Sequence, residues 1–418
     1  MAKTNAVAGP PNEVSIEFLR WLQITIRGMR QTLIPVLRGS LLLQHWFGRA
    51  ARPAADIDFE CFALPREALD DIKMTNPEYY KQHKEGYGYY GEFESVVDLG
   101  KAMCRYAADS TRHYQWRLPP GPRPDVEFEE SDVPEDGESL WGYGTPGERY
   151  YTGWIWHERD GVRGRLQIDL AHPAVYDVAD IAVADIRLTD SKGVAFCFPA
   201  YTQEMLLAAK LSWLLRGLKL QDERSALEWN GELKDLFDAH LLVTRGKLRA
   251  DRFEKSMLAV TAEDKLDWKM LDALSDLRQP AMKDTDFPGW PGFQQAFPEA
   301  ITHAPAEMLR VVAERVDPLL AGIRAHVPFL SAIDAEPVDE VPYLIYADWL
   351  QEKGDSRGDF LRLAIRWVFH ENELSANERT DIRQALKLSL NKMTTPWLYH
   401  LFGSAERCRE FKQRIEAN

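Results

Sequence analysis

Apolar residues recur at helical spacing from Val14 to Gln31, where Phe18, Leu19, Leu22, Ile26 and Met29 predict one amphipathic helix that supports a sheet. The stretch Arg38–Phe59, RGSLLLQHWFGRAARPAADIDF, then reads as a tight turn at Gly39-Ser40, a leucine-rich helical run, an exit loop at Gly48-Arg49 and a short strand. A further helix is expected from about Leu64 to Met74, with Pro65 in its first turn. A loop follows at Tyr79–Tyr90, then a helix at Glu92–Ala108. From Tyr150 the period changes to strands: Tyr151–Trp156 and Val162–Leu170 flank Asp160-Gly161, a hairpin signal, and Phe196–Pro199 closes the sheet. Helical periodicity returns at Tyr201–Leu218, with Thr202 as candidate N-cap, and at Leu233–Val243, Lys265–Leu277 and Ala306–Ala325. Between the last two, Asp284–Pro298 reads as a loop packed by its aromatics. A new pattern starts near Pro328, where two helices joined by Gly354-Asp355 are expected. The order predicts an α/β lobe with a mixed sheet over 14–199, a helical lobe over 200–327 and a small helical module over 328–418.

Composition narrows the class. At 418 residues, 45% hydrophobic and 28% charged, the chain can build two or three cores. No apolar h-region opens it and no run approaches a membrane span, so a cytoplasmic protein without membrane contact is expected. The four cysteines, Cys61, Cys104, Cys197 and Cys408, form no CxxC pair, which argues against zinc and a disulfide framework. A net charge of −14 excludes a general nucleic-acid coating protein, because such proteins bind by neutralising phosphates. Local basic surfaces remain: Lys3, Arg20, Arg27, Arg30, Arg38, Arg49 and Arg52 stand against only Glu13 and Glu17 in the first 55 residues, and Arg245-Gly-Lys247-Leu-Arg249 is followed by Arg252 and Lys255. The proline-rich stretch Leu118–Gly147, acidic from Asp125 to Glu138, reads as a solvated loop, with a regulatory flap as the other reading.

The chemistry lies in the carboxylates. Asp56 and Asp58 stand two apart on a strand, so both leave one face while Ile57 and Phe59 enter the core. Like charges that close repel by roughly 4 kcal/mol at an effective dielectric near 20, so they need a bound cation, a shared proton or water. Asp169, in the apolar strand Leu166-Gln-Ile-Asp-Leu170, has a similar context. Gly39-Ser40 ahead of a helix offers backbone N–H groups to phosphate, or is simply a turn. Lys210 sits on an apolar helix, where a snorkelling lysine is the plain alternative. Asp235 and Asp238 could equally belong to a solvated face. His45, His172 and His240 show no metal-binding spacing, and no GxxxxGK[ST] or GxGxxG turn occurs.

Four pieces in order, LRGSLLLQHWFG, RPAADIDFE, LQIDLA and AAKLSWLLRG with KDLFDAHLL, resemble the polymerase-beta-like nucleotidyltransferases, and within them the AbiEii-type toxins of abortive-infection and toxin–antitoxin systems. The resemblance spans about residues 14 to 250. It departs in a slightly long spacer between Ser40 and Asp56, in Lys234 before Asp235, and in an apparent insertion over 109–150. It implies a metal-dependent enzyme that moves an NMP from an NTP to an acceptor hydroxyl, with tRNA or another RNA as acceptor and an antitoxin as partner. Asp56, Asp58 and Asp169 would hold two Mg²⁺ ions, and Gly39 and Ser40 the terminal phosphates. Lys210 would neutralise the triphosphate, and Asp235 or Asp238 would orient the nucleotide or act as a further base. A small-molecule or protein acceptor, and a non-catalytic scaffold, are the alternatives. DEVPYLIYADWLQEKGDSRGDFLRL, from Asp339, resembles the small repeat-companion domain, whose Asp348 would pair with Arg357 or Arg362 in a structural role.

Overall fold

The computed structural model describes residues 11–26, 33–54, 56–63, 115–117, 150–159, 162–173, 175–176, 178–221, 226–229, 232–264, 271, 283, 287, 289–297, 303–390 and 392–416. The elements expected over 64–108, the acidic loop at 118–147, the turn at 160–161 and most of the helix at 265–277 lie outside these residues. The chain divides into two compact units. One comprises Met1–Pro173, Val183–Thr202 and Gln294–Thr302; the other comprises Ala174–Ala182, Gln203–Phe293 and His303–Asn418.

The first unit is α/β. Its helices are α1 (Pro11–Ile26) and α2 (Ser40–Phe47), and its strands are β1 (Leu33–Arg38), β2 (Asp56–Ala63), β3 (Gln115–Arg117), β4 (Tyr150–Arg159), β5 (Val162–Ala171), β6 (Val183–Thr189) and β7 (Ala195–Tyr201). The strands form one mixed sheet in the order β3-β4-β5-β2-β1-β7-β6. β2 runs antiparallel to β1 and parallel to β5. β4 and β5 are the antiparallel hairpin expected from the Asp-Gly signal. Ile57, Phe59 and Cys61 are fully buried on one face of β2, as alternation requires, and Phe59 meets Phe198 of β7 with ring centroids 6.0 Å apart. Phe18, Leu19 and Leu22 of α1 are likewise fully buried. The expected α/β lobe with a mixed sheet is the observed one.

The second unit is mainly helical: α3 (Gln203–Gly217), α4 (Leu233–Arg245), α5 (Ala250–Asp264), α6 (Trp290–Ala296, whose last three residues are assigned to the first unit), α7 (Pro305–Ala335), α8 (Glu340–Glu352), α9 (Arg357–Phe369), α10 (Ala376–Leu390), α11 (Thr395–Phe402) and α12 (Ala405–Glu416). It also holds a two-stranded ribbon of β8 (Leu218–Gln221) and β9 (Ala226–Trp229). α7 does not stop near Ala325 but runs through Pro318 and Pro328 to Ala335. Proline removes one hydrogen bond per site, yet the buried stripe of Leu320, Ile323, His326, Leu330 and Ile333 continues across Pro328, and that burial outweighs the loss. The segment at 290–296 is helical rather than loop, with Trp290 buried and Phe293 set 6.3 Å from Phe237.

The two helices predicted around Gly354-Asp355 are α8 and α9, and Gly354 takes the left-handed conformation between them, φ +71. Asp348 pairs with Arg362, one of the two arginines expected, while Arg357 donates to Asp355. Tyr346 is fully buried and accepts a hydrogen bond from Trp397 Nε1 at 3.1 Å. An acceptor already holding that proton directs its own O–H to His326 Nδ1, 2.8 Å away. The motif residues of the module therefore fasten α8 and α9 to α7 and α11.

Candidate functional site

The site begins with a register. β2 and β5 pair so that Asp56 stands beside Gln167 and Asp58 beside Asp169. In-register neighbours on parallel strands share a face, and strands lie about 4.8 Å apart. Asp56, Asp58 and Asp169 accordingly offer carboxylate oxygens that all fall within 4.8 Å of one another. Asp169 is buried and the other two are partly exposed. Gln167, two residues before Asp169, donates its side-chain amide to both Asp169 oxygens at 3.1 and 3.3 Å, which fixes that carboxylate's orientation.

β1 supplies the other flank. Arg38 is the antiparallel partner of Asp58, and Val36 that of Glu60, so Arg38, Asp58 and Glu60 share the same face. Arg38 and Glu60 are buried. Gly39 follows with φ 79 and ψ −160, a region that only glycine occupies without strain. A Cβ there would lie 1.9 Å from Asp58 Oδ2, so glycine is needed for space as well as for conformation. The chain then turns into α2, whose first turn receives no side-chain cap. Ser40 Oγ is buried and has no hydrogen-bond partner among the described residues. A buried hydroxyl in that state costs about 1–3 kcal/mol, which a ligand oxygen would recover.

Lys210, Asp235 and Asp238 form a second cluster, inside the helical unit. Lys210 Nζ donates to Asp235 Oδ1 at 2.7 Å and pairs with Asp238 Oδ2 at 3.0 Å. All three side chains are buried, so Lys210 does not snorkel, and neither aspartate belongs to a solvated face. The ammonium also lies 4.9 Å from the Trp213 ring centroid. Burial pushes the Asp235 carboxyl upward, and the Lys210 charge opposes it. Of the residues singled out from sequence, the structure thus gathers the three metal-facing acids with Gly39 in one unit and Lys210 with Asp235 and Asp238 in the other.

Sequence reasoning passed over Gln167, Glu60 and the role of Arg38. The signal was present in Gln-x-Asp and in Asp-x-Asp-x-Glu, since i, i+2 and i+4 on a strand share a face.

The model of one family, described as the nucleotidyl transferase AbiEii toxin of a type IV toxin–antitoxin system, matches residues 29–317. The match covers more than half of the chain and includes both clusters. The chain belongs to the AbiEii family. It is thereby placed among nucleotidyl transferase toxins, whose type IV system implies a cognate antitoxin and whose chemistry implies an NTP substrate. No curated protein matches the sequence at a significant level. Among solved structures, the crystal structure of JHP933 from Helicobacter pylori is similar at 10% identity with a TM-score of 0.36, covering 77% of this chain and 98% of that one. A likeness that loose carries no argument. The AbiEii match ends at 317, before the stretch that resembles a repeat-companion domain. No helix among the described residues is long and apolar enough to cross a membrane.

Proposed function

We propose that this AbiEii protein is a divalent-metal-dependent transferase that moves an NMP from an NTP to an acceptor hydroxyl on RNA. The observation that carries the reading is the convergence of Asp56, Asp58 and Asp169 within 4.8 Å. An all-carboxylate donor set suits a hard divalent cation such as Mg²⁺ or Mn²⁺, and three acids so close call for positive charge. When bound, such ions stabilise the attacking and leaving oxygens of an in-line phosphoryl displacement.

The chain's own groups then have separable roles. Asp56, Asp58 and Asp169 would hold the ions, and Asp169, aligned by Gln167, could also accept the proton of the acceptor hydroxyl. Ser40 Oγ and the uncapped first turn of α2 grip the terminal phosphates. Gly39 leaves the space in which the Asp58 carboxylate lies. The assignment of Lys210 to the triphosphate, with Asp235 and Asp238 as nucleotide-side groups, follows the family resemblance. Within its own unit the ammonium is held by those two aspartates.

The test is transfer of label from each α-labelled NTP to total RNA with Mg²⁺. The expected result is transfer that Asp58→Asn and Asp169→Asn abolish and that chelation stops. Ser40→Ala should weaken nucleotide binding without lowering the melting temperature, because its hydroxyl holds no protein partner among the described residues. Transfer that survives Asp58→Asn would refute the metal assignment.

A further inference from the structure

The turn between α4 and α5 is a basic surface that the nucleotide chemistry does not use. Over residues 245–255 it carries Arg245, Lys247, Arg249, Arg252 and Lys255 against Asp251 and Glu254, in a chain of net charge −14. The two acids are directed elsewhere. Asp251 takes a bidentate contact from Arg249, at 3.1 and 2.8 Å, and Glu254 Oε1 lies 3.6 Å from His326 Nε2 of α7. Lys255 donates to the Ala179 carbonyl, which leaves its charge uncompensated. Arg245, Lys247 and Arg252 are exposed and make no ion pair among the described residues.

The backbone that presents them is held in one shape. Lys247 N–H donates to Gln203 Oε1 at 2.8 Å, and Arg249 N–H donates to Glu204 Oε1 at 2.9 Å. Glu204 is itself buried, so a carboxylate at the start of α3 is committed to a surface turn. Gly246 N–H closes α4 on the Leu242 carbonyl, and a Cβ at Gly246 would lie 2.3 Å from that same oxygen. The fixed backbone sets the spacing at which the cations leave the chain, which favours a ligand of matching charge spacing.

We infer that the α4–α5 turn is the surface on which the helical unit holds the phosphodiester backbone of an RNA. This rests on the RNA acceptor of the proposed function and gives it a location. Guanidinium forks suit phosphate oxygens. The described exposed large hydrophobics are Val194, Val338, Val341, Ile345, Val368 and Leu388, none of them in this turn, so the apolar anchors of a protein interface are missing from it. A polyanion repelled by most of this acidic chain has a cationic landing place here.

The experiment measures anisotropy of a 5′-fluorescein single-stranded RNA 20-mer with the full chain, without NTP, across salt concentration. The comparison is the wild type against the triple variant R245A/K247A/R252A, whose exposed positions leave the fold intact, as melting checks. Three lost phosphate contacts at about 0.7 each lower the salt slope by about 2, equivalent to about hundredfold at 0.1 M salt. A loss of tenfold or more, with a slope reduced by at least one, is the expected result. A smaller change, no RNA binding by the wild type, or polyglutamate competing as well as RNA at equal charge would overturn the inference. Failure of the transferase reading looks different: Mn²⁺ binding and label transfer would be indifferent to Asp58→Asn while RNA binding by the wild type persisted.

Discussion

Gly39→Ala isolates the contact on which the acidic cluster depends. The new methyl carbon would meet Asp58 Oδ2 at 1.9 Å, Cγ at 2.7 Å and Cβ at 3.0 Å, and the backbone sits at φ 79. Conformational strain alone costs about 1–3 kcal/mol. Relief of the clash requires the carboxylate to retreat by roughly 1 Å, whereas ligand positions tolerate only about 0.2 Å. Metal binding should therefore suffer far more than folding. Titration of the full chain with Mn²⁺, followed by calorimetry, is expected to show affinity reduced at least tenfold, with a melting temperature lowered by only a few degrees. The same substitution in an Asp58→Ala background separates the two terms. With the carboxylate gone, the stability cost should shrink to the conformational part, and Mn²⁺ affinity should fall little further. Wild-type Mn²⁺ affinity in Gly39→Ala, or full additivity of the two substitutions in metal binding, would refute the argument.

Three further outcomes follow from buried polar groups in the helical unit. Lys210→Met removes the ammonium that Asp235 and Asp238 share and should destabilise that unit by about 3–5 kcal/mol in urea titrations at pH 7. With its folded pKa raised, Asp235 binds its proton more tightly in the folded state, so the variant should regain stability as pH falls. Tyr346→Phe removes the acceptor of Trp397 Nε1–H and the donor to His326 together, a loss of about 2–4 kcal/mol by the same assay; less than 0.5 would contradict the network. Burial lowers His400 and His240 to about 4, with the neighbouring His303 adding to the shift at His240. The unfolded chain binds those protons near pH 6.5, so stability is full above that pH and is lost as pH falls toward 4, by about 3 kcal/mol for each histidine. His400→Met should flatten its share of the slope.

Much of the first unit was legible because its signals are local. Gly39-Ser40 needs a turn, Asp56 and Asp58 need one strand, and the β4–β5 hairpin is marked by Asp-Gly. The parallel pairing of β2 with β5 was not legible, since its partners stand more than a hundred positions apart and the Asp58–Asp169 register is set by the sheet. α5, Ala250–Asp264, was passed over because the five cations in its approach and first turns were read only as a basic surface, although Phe253, Met257 and Val260 form a buried stripe. β6 and the β8–β9 ribbon are short, and seven or four residues carry too little alternation to stand out from helix. The extent of α7 was missed by giving Pro328 more weight than the apolar stripe around it.

The two acidic clusters show why spacing alone could not assign roles. In the helical unit, Asp235 and Asp238 stand three apart on α4, and the chain supplies their counter-charge itself, through Lys210 at 2.7 and 3.0 Å. In the sheet, three carboxylates converge within 4.8 Å, and Glu60 adds a fourth acid to the face, with Arg38 on the neighbouring strand. Counted over these residues alone, the sheet face carries more formal negative charge than the helical cluster. An excess of two or more negative charges in a partly buried setting is what a divalent ion corrects. The difference has a measurable form. Added Mn²⁺ should raise the unfolding midpoint of the wild type by linkage and should do nothing for Asp58→Asn/Asp169→Asn, whereas Lys210→Met should leave the metal-dependent increment in place while lowering the baseline. A metal increment that disappeared with Lys210 and persisted without the aspartates would exchange the roles of the two clusters.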